Sequence, residues 1–352
     1  MAKTQIRPTR PRSDEVTGCL TLVWVAIGLL FTTAIGAVIA DHFQLFKHGA
    51  PSTAKPAATA AVAKPAPPAP GQGGTGGPGG GGGSGGGAGA PGTPQAAYAA
   101  ARRPPPLPAG TPAWLAYALP PVPHNGPMLA IVIDDMGLDH ARSARAIAMP
   151  GPLTLSFMPY AEELEVQTEA AHLNGHELLM HMPMEPVGHD NPGPDALDVN
   201  LSLGEIDKRL QRNLTRFQGF VGINNHMGSK FTAWRPGMEV VMSNLRARGL
   251  LWLDSRTTPD TAGPALAVSY HVPNAQRDVF LDDVPTAAAV HKQLKELETI
   301  AYRRGYAVAI GHPKDATLEE LAGWIPGLRR EGLTLVPVSE IVRKLSGAAT
   351  TE

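Results

Sequence analysis

The sequence predicts an α/β domain: a deformed or incomplete (β/α) barrel, mainly parallel, with helices outside the sheet. Three observations predict it. Short apolar runs alternate with amphipathic segments over the later part of the chain. The alternation repeats seven or eight times, a number that suits a barrel, with a doubly wound open sheet as the other arrangement of the same units. Nearly every unusual polar residue falls just after an apolar run, where parallel barrels collect their working groups.

The candidate strands cover residues 129–133, 153–158, 177–181, 220–223, 250–253, 279–281, 307–310 and 333–338. Each is a short apolar run of the length a buried strand needs. Between them, Leu203, Ile206, Leu210, Leu214 and Phe217 are spaced to form one buried helix face. Met238, Val241, Met242 and Leu245 repeat that spacing and stop at Gly249, a helix-ending glycine. Thr317 with Glu320 reads as a capping box ahead of Leu318, Leu321 and Trp324, and Pro326 should kink or end that helix.

The folded domain is expected over residues 126–345, with 346–352 as a tail. Residues 41–125 are rich in Ala, Pro and Gly, including the run Gly79-Gly80-Gly81-Gly82-Gly83. Such a composition cannot bury enough apolar surface to offset its ordering entropy and predicts a disordered tether. Trp114, Leu115 and Tyr117 are candidates to pack at the domain edge. Residues 16–40 are uncharged and apolar, long enough as a helix to cross a hydrocarbon core of about 30 Å. Lys3, Arg7, Arg10 and Arg12 precede this span, so tail 1–15 is expected in the cytoplasm and the rest of the chain outside. The span exceeds a signal-peptide core and lacks a sharp small-residue cleavage site, which favours an uncleaved anchor.

Lys and Arg total 30 against 31 Asp and Glu, for a net charge of -1, so no electrostatic footprint for nucleic acid is present. The single cysteine, Cys19, rules out an internal disulfide and a cysteine-based zinc site.

Five polar groups close apolar runs. They are Asp134-Asp135, His181, Asn224-Asn225-His226, Asp254-Ser255 and His312. Two imidazoles and one carboxylate form a three-ligand site for a divalent metal with a position left for water. His181, His226 and one of Asp134 and Asp135 would supply it, and a metal so held would activate water and polarise a carbonyl. The other aspartate would act as general base. His312 would protonate the leaving group, with Asp254 orienting its ring.

Those residues stand in Ile133-Asp134-Asp135-Met136-Gly137, His181-Met182-Pro183-Met184, Asn225-His226-Met227-Gly228-Ser229, Leu253-Asp254-Ser255 and Gly311-His312-Pro313. In this order they resemble the divergent polysaccharide deacetylases, remote relatives of the NodB-type carbohydrate esterases. The resemblance covers about residues 128–343. It implies a NodB-like barrel that removes N- or O-acetyl groups from a polysaccharide or peptidoglycan-type glycan, using zinc or a similar ion. Carried over, Asp134 becomes the base, Asp135 the ligand and His312, in Ile310-Gly311-His312, the acid. The wider family draws both metal histidines from one His-x-x-x-His motif, whereas Lys230 stands four residues after His226. His181 is the replacement ligand by position. With the anchor, the expectation is a bacterial inner-membrane protein whose catalytic domain faces the periplasm.

Two other functions stay open at the level of sequence: a non-catalytic glycan- or protein-binding module on a degenerate barrel, and a metal phosphoesterase. Of the remaining residues, Glu185 is placed for a supporting or substrate contact, and Arg256 for a carboxylate or a sugar hydroxyl. Asp282-Asp283 reads as a solvated loop or a helix N-terminal region. His140 is expected solvated at a helix start, His172 and His176 against a helix end, and His189 on a surface loop. The methionines of 180–184 read as cleft wall and core.

Overall fold

The computed structural model describes residues 110–347. Nine parallel-paired strands form one sheet. They are β1 (Met128–Met136), β2 (Thr154–Phe157), β3 (Glu177–Met184), β4 (Gly222–Met227), β5 (Leu251–Asp254), β6 (Asn274–Gln276), β7 (Val279–Phe280), β8 (Tyr306–Gly311) and β9 (Thr334–Leu335). The order is β6-β5-β4-β3-β2-β1-β8-β7, with β9 beside the start of β1. The described helices are α1 (Ala113–Ala116), α2 (His140–Ile147), α3 (Leu164–Leu173), α4 (Leu203–Leu214), α5 (Arg235–Arg248), α6 (Gly263–Ser269), α7 (Ala287–Arg304), α8 (Asp315–Trp324) and α9 (Val338–Ser346).

The two edges of the sheet are neighbours in sequence. β6 pairs with β5, β7 pairs with β8, and only Arg277 and Asp278 separate β6 from β7. The Arg277 amide donates to the Asp254 carbonyl at 3.0 Å, and the next amide, Asp278, donates to the Val308 carbonyl at 2.8 Å. One extended segment therefore spans both edges of the curled sheet. β6 was invisible as a strand because its three residues are Asn, Ala and Gln, with no apolar run to mark them.

Alternation along β1 separates two apolar layers. Met128, Ala130 and Val132 face inward, whereas Leu129, Ile131 and Ile133 pack against the outer helices. The inner layer is completed by Leu179, Leu253 and Val308 from other strands, by Val221 just before β4, and by Val338, Ile341 and Val342 of α9. Trp114, upstream of the expected domain boundary at 126, is buried in this same layer.

Local signals account for most helix ends. Asp139, Ser202 and Thr286 cap α2, α4 and α7 by accepting the amides of Arg142, Glu205 and Ala289. α5 stops at Gly249, whose φ of 64° suits glycine. Two expectations fail. Thr317 lies inside α8 and caps nothing, because its hydroxyl is turned to Asp282 at 2.8 Å. Phe217, expected on the α4 face, lies beyond the helix and is buried, while Leu203 is exposed. α8 does end just before Pro326, where a 3-10 turn (Ile325–Glu331) takes over.

Among the described residues no helix is long and apolar enough to cross a membrane. The apolar span 16–40 and tether residues 41–109 lie outside the described residues.

The first turn of α9 meets a buried carboxyl. The Ser339 amide donates to Glu177 Oε1 at 3.0 Å, and the Val338 amide donates to Thr154 Oγ1 at 3.0 Å. Burial pushes Glu177 from the usual 4.5 up to about 7, although Ser339, Thr154 and the charge of Arg343 pull the other way. The folded state thus holds a proton that the unfolded chain has released. Stability from this group is complete below pH 4.5 and lost as pH rises to about 7, a change of about 3 kcal/mol. Glu177→Gln should remove that slope and be the more stable chain at neutral pH, as urea unfolding from pH 4 to 8 would report. A difference between the two chains that does not vary with pH would contradict this.

Candidate metal centre

Two consecutive aspartates would normally point to opposite sides of a strand. Here the register of β1 against β2 shifts between Ile133 and Met136, and Asp135 adopts a left-handed φ of 55°. Both carboxylates consequently reach one imidazole: His181 Nε2 lies 3.5 Å from Asp134 Oδ2 and 3.4 Å from Asp135 Oδ1. His226 Nδ1 lies 2.9 Å from the same Asp135 oxygen. One ligand atom each from Asp135, His181 and His226 falls within 4.8 Å of the others.

Strand register places the histidines. His181 of β3 is paired with Asn224 of β4, and His226 lies two residues further on the same face. Met227 and Arg256, just past His226 and Asp254, also have left-handed backbones, with φ of 52° and 50°. Positive φ in such residues is held by surrounding structure and concentrates at functional sites.

Asn224 ties the group together. Its Oδ1 accepts from Ser156 Oγ at 2.6 Å and from His181 Nδ1 at 2.9 Å. Its Nδ2 donates to Asp134 Oδ1 at 2.8 Å and to Ser255 Oγ at 3.1 Å. With Nδ1 committed to Asn224, His181 presents Nε2 to the carboxylates.

The donor set fits a divalent cation. Asp135 Oδ1 is buried and close to two ring nitrogens, yet its geometry to them makes no hydrogen bond. Three ligand atoms from Asp135, His181 and His226 converging on one point are what a divalent metal requires. The local charge agrees. Burial alone would lower His181, but Asp134 and Asp135 reverse this and raise its proton affinity. Burial alone would raise Asp135, and His181 and His226 instead hold it far below the usual carboxylate range. A field that concentrates positive charge here would favour a cation equally.

Asp134 is different. Burial raises it, and His181, His312 and the Asn224 hydrogen bond only partly offset that. A carboxylate with a raised pKa is suited to accept a proton.

His312, at the end of β8, faces the group from the other side, with Nε2 3.8 Å from Asp135 Oδ2. Its orientation comes from Asp282, whose Oδ1 accepts Nδ1 at 2.9 Å while Oδ2 accepts the His312 amide at 2.7 Å. Burial would raise Asp282, but the hydrogen bond and charge of His312 outweigh it and keep the carboxylate ionised.

This corrects the expectation for Asp254. Its Oδ1 accepts the Arg256 amide at 2.8 Å, and its Oδ2 accepts Thr261 Oγ1 at 2.8 Å and Trp252 Nε1 at 3.3 Å. A Cβ at Gly263 would lie 2.4 Å from that second oxygen, so the carboxylate is packed into the start of α6. Asp254 fastens the end of β5 and does not position His312.

Other polar residues have structural employment. Glu185 accepts from Lys230 Nζ at 2.5 Å and from the Val199 amide at 2.9 Å, linking loops rather than contacting His181. Lys230, which replaces the second histidine of the usual motif, is thereby engaged outside the metal group. His176 is fully buried, accepting the Leu153 amide at Nδ1 and donating from Nε2 to the Ile147 carbonyl. His140 and His189 are exposed. Asp282, expected in a solvated loop or at a helix start, is instead fully buried against His312, and the linking role of Asn224 and Ser156 was not expected. Asp282 carried a signal, a double acid after an apolar run as at Asp134-Asp135, and Asn224 closed an apolar run beside His226, whereas Ser156 carried none.

A family model described as divergent polysaccharide deacetylase matches residues 131–342. The uncharacterized protein YibQ of Escherichia coli strain K12 is 34% identical over 216 residues, 61% of this chain and 67% of that protein. An uncharacterized protein of Haemophilus influenzae is 33% identical over 215 residues, 61% of this chain and 76% of its own length. The crystal structure of the uncharacterized protein ATU2773 from Agrobacterium tumefaciens C58 aligns with a TM-score of 0.65 at 30% identity. That alignment covers 68% of this chain and 99% of the crystallised one. On the extent of the family match and the identity with these relatives, the chain belongs to the divergent polysaccharide deacetylases.

Proposed function

We propose that the domain hydrolyses acetyl groups on a polysaccharide. The observation that carries the reading is the placement of Asp134 and His312 around the convergent set Asp135, His181 and His226. These three residues would hold zinc or a similar divalent ion. Bound there, the ion would act as a Lewis acid on the acetyl carbonyl and make water easier to deprotonate.

The chain's own residues supply the proton transfers. Asp134 takes a proton from the attacking water, whose oxygen forms a bond to the acetyl carbon. His312, protonated and held by Asp282, gives its Nε2 proton to the departing nitrogen or oxygen of the sugar as the acyl bond breaks. Acetate and the free amine or hydroxyl are the products. Asn224 keeps Asp134 and the His181 ring in register throughout.

The apolar span 16–40, preceded by four basic residues, supports attachment to the inner membrane with this domain in the periplasm. Peptidoglycan-type glycans are then the accessible polymers.

The test uses the full chain. Acetate release from acetylated oligosaccharides should be lost on chelation and recovered with zinc or another divalent ion. Glycan binding that survives chelation, with no acetate released under any ion, would instead make the domain a binding module.

A further inference from the structure

Two guanidinium groups at the mouth of the barrel make no direct ion pair among the described residues. Arg277 lies in the crossing between β6 and β7. Its Nε donates to the Ser255 carbonyl at 2.7 Å and its Nη2 to the Arg256 carbonyl at 2.9 Å. The guanidinium carbon sits 5.0 Å from the centre of the Phe280 ring. These contacts fix the group without neutralising it. Among the described residues, neither Arg277 nor Arg256 makes an ion pair within 4.0 Å. Arg142, Arg145, Arg212 and Arg304 all do.

Arg277 is lodged between the two halves of the metal group. On one side it grips Ser255, whose hydroxyl accepts from Asn224, the residue that holds Asp134 and His181. On the other, Phe280 meets the His312 ring edge-on at 5.6 Å. Burial lowers the proton affinity of Arg277 and the adjacent charge of Arg256 lowers it further, while Asp134, Asp254 and Asp278 oppose this. Two like charges held together, one of them partly desolvated, destabilise each other until an anion arrives.

The hydrogens already used leave both N–H bonds of Nη1 and one of Nη2 free, a planar pair of donors that matches a carboxylate. Arg277 is only half-buried and the neighbouring Arg256 is exposed, so solvent reaches the pair.

We propose that Arg277, with Arg256 beside it, binds a carboxylate of the glycan, so that the substrate is an acidic polysaccharide carrying that carboxylate close to the acetylated sugar. The proposal rests on the deacetylase reading and names its substrate class. Arg277 selects the substrate and positions it; Asp134 and His312 perform the chemistry.

The experiment compares matched pairs on the full chain. One pair is the disaccharide of N-acetylglucosamine and N-acetylmuramic acid, whose carboxylate is a lactyl ether, and its methyl ester. The second is an acetylated oligosaccharide containing a uronate, and its methyl ester. KM for acetate release and Kd by calorimetry are measured for each.

The acid should be preferred over the ester by on the order of tenfold in one pair, which then identifies the source of the carboxylate. Arg277→Gln should collapse that ratio toward one, and Arg277→Lys should recover only part of it, because an ammonium cannot reproduce the planar fork. Arg256→Gln, at an exposed position where misfolding is no explanation, should reduce the ratio several-fold. No preference in either pair, or a preference that survives Arg277→Gln, overturns the proposal. If no acetate is released, a Kd ratio that collapses in Arg277→Gln sustains the carboxylate subsite and removes the deacetylase reading. Acetate release with no preference removes the subsite alone.

Discussion

Asp134→Asn should cut acetate release by about 10²–10⁴-fold while leaving divalent-ion affinity nearly unchanged. Asparagine matches aspartate in shape, and its carbonyl oxygen can still accept the Asn224 amide that now reaches Asp134 Oδ1 at 2.8 Å. What it loses is the capacity to take a proton. Asp135→Ala is the contrasting variant, because Asp135 Oδ1 is the oxygen on which both His181 and His226 converge. It should abolish ion binding and activity together. Calorimetry with zinc and an acetate assay on both variants separate the two roles. Equal loss of ion binding in Asp134→Asn would transfer Asp134 to the ligand set and leave the reaction without its base.

The second large effect concerns a residue that touches no reacting atom. Asp282→Asn should lower kcat by about 10–100-fold through His312. The sign of its pH dependence follows from the charges. Burial lowers the proton affinity of His312, and the bond to Asp282 is foremost among the contacts that raise it above the ordinary value. His312 must be protonated to serve as an acid, so weakening that bond moves the alkaline fall of activity to lower pH. A purely structural role would move the melting temperature and leave the pH profile in place. In a His312→Gln background the same substitution should cost little more, since paired residues are not additive. Full additivity of the two losses would mean that Asp282 acts by another route.

The sequence carried the fold at its apolar runs and the site at their ends. Strands such as Met128–Met136 and Tyr306–Gly311 were legible because burial on both faces leaves an unbroken hydrophobic signature. Asn274–Gln276 was not, since its place is set by main-chain pairing with Leu251–Asp254 and its side chains carry no pattern. The ligand candidates were legible as chemistry, but partnership was not. Asp254 and Asp282 both follow apolar runs, and only the pairing of β7 with β8 brings Asp282 to His312. Asn224 was legible as a polar residue closing an apolar run, but not as the link between Asp134 and His181. Its importance lies in cross-strand register with His181, which no local spacing encodes.

The seam at Arg277 and Asp278 also divides labour along the chain. The convergent donors come from β1, β3 and β4, deep in the continuous part of the sheet, where a shift in one strand disturbs its neighbours. The seam is held by the main-chain amides and side chains of two residues, Arg277 toward β5 and Asp278 toward β8. On the proposed reading of Arg277, substitutions there would change what the mouth of the barrel recognises while leaving the donors on β1, β3 and β4 in place. The choice of polymer would then be set by two consecutive residues of the chain, and the reaction centre by three separate strands.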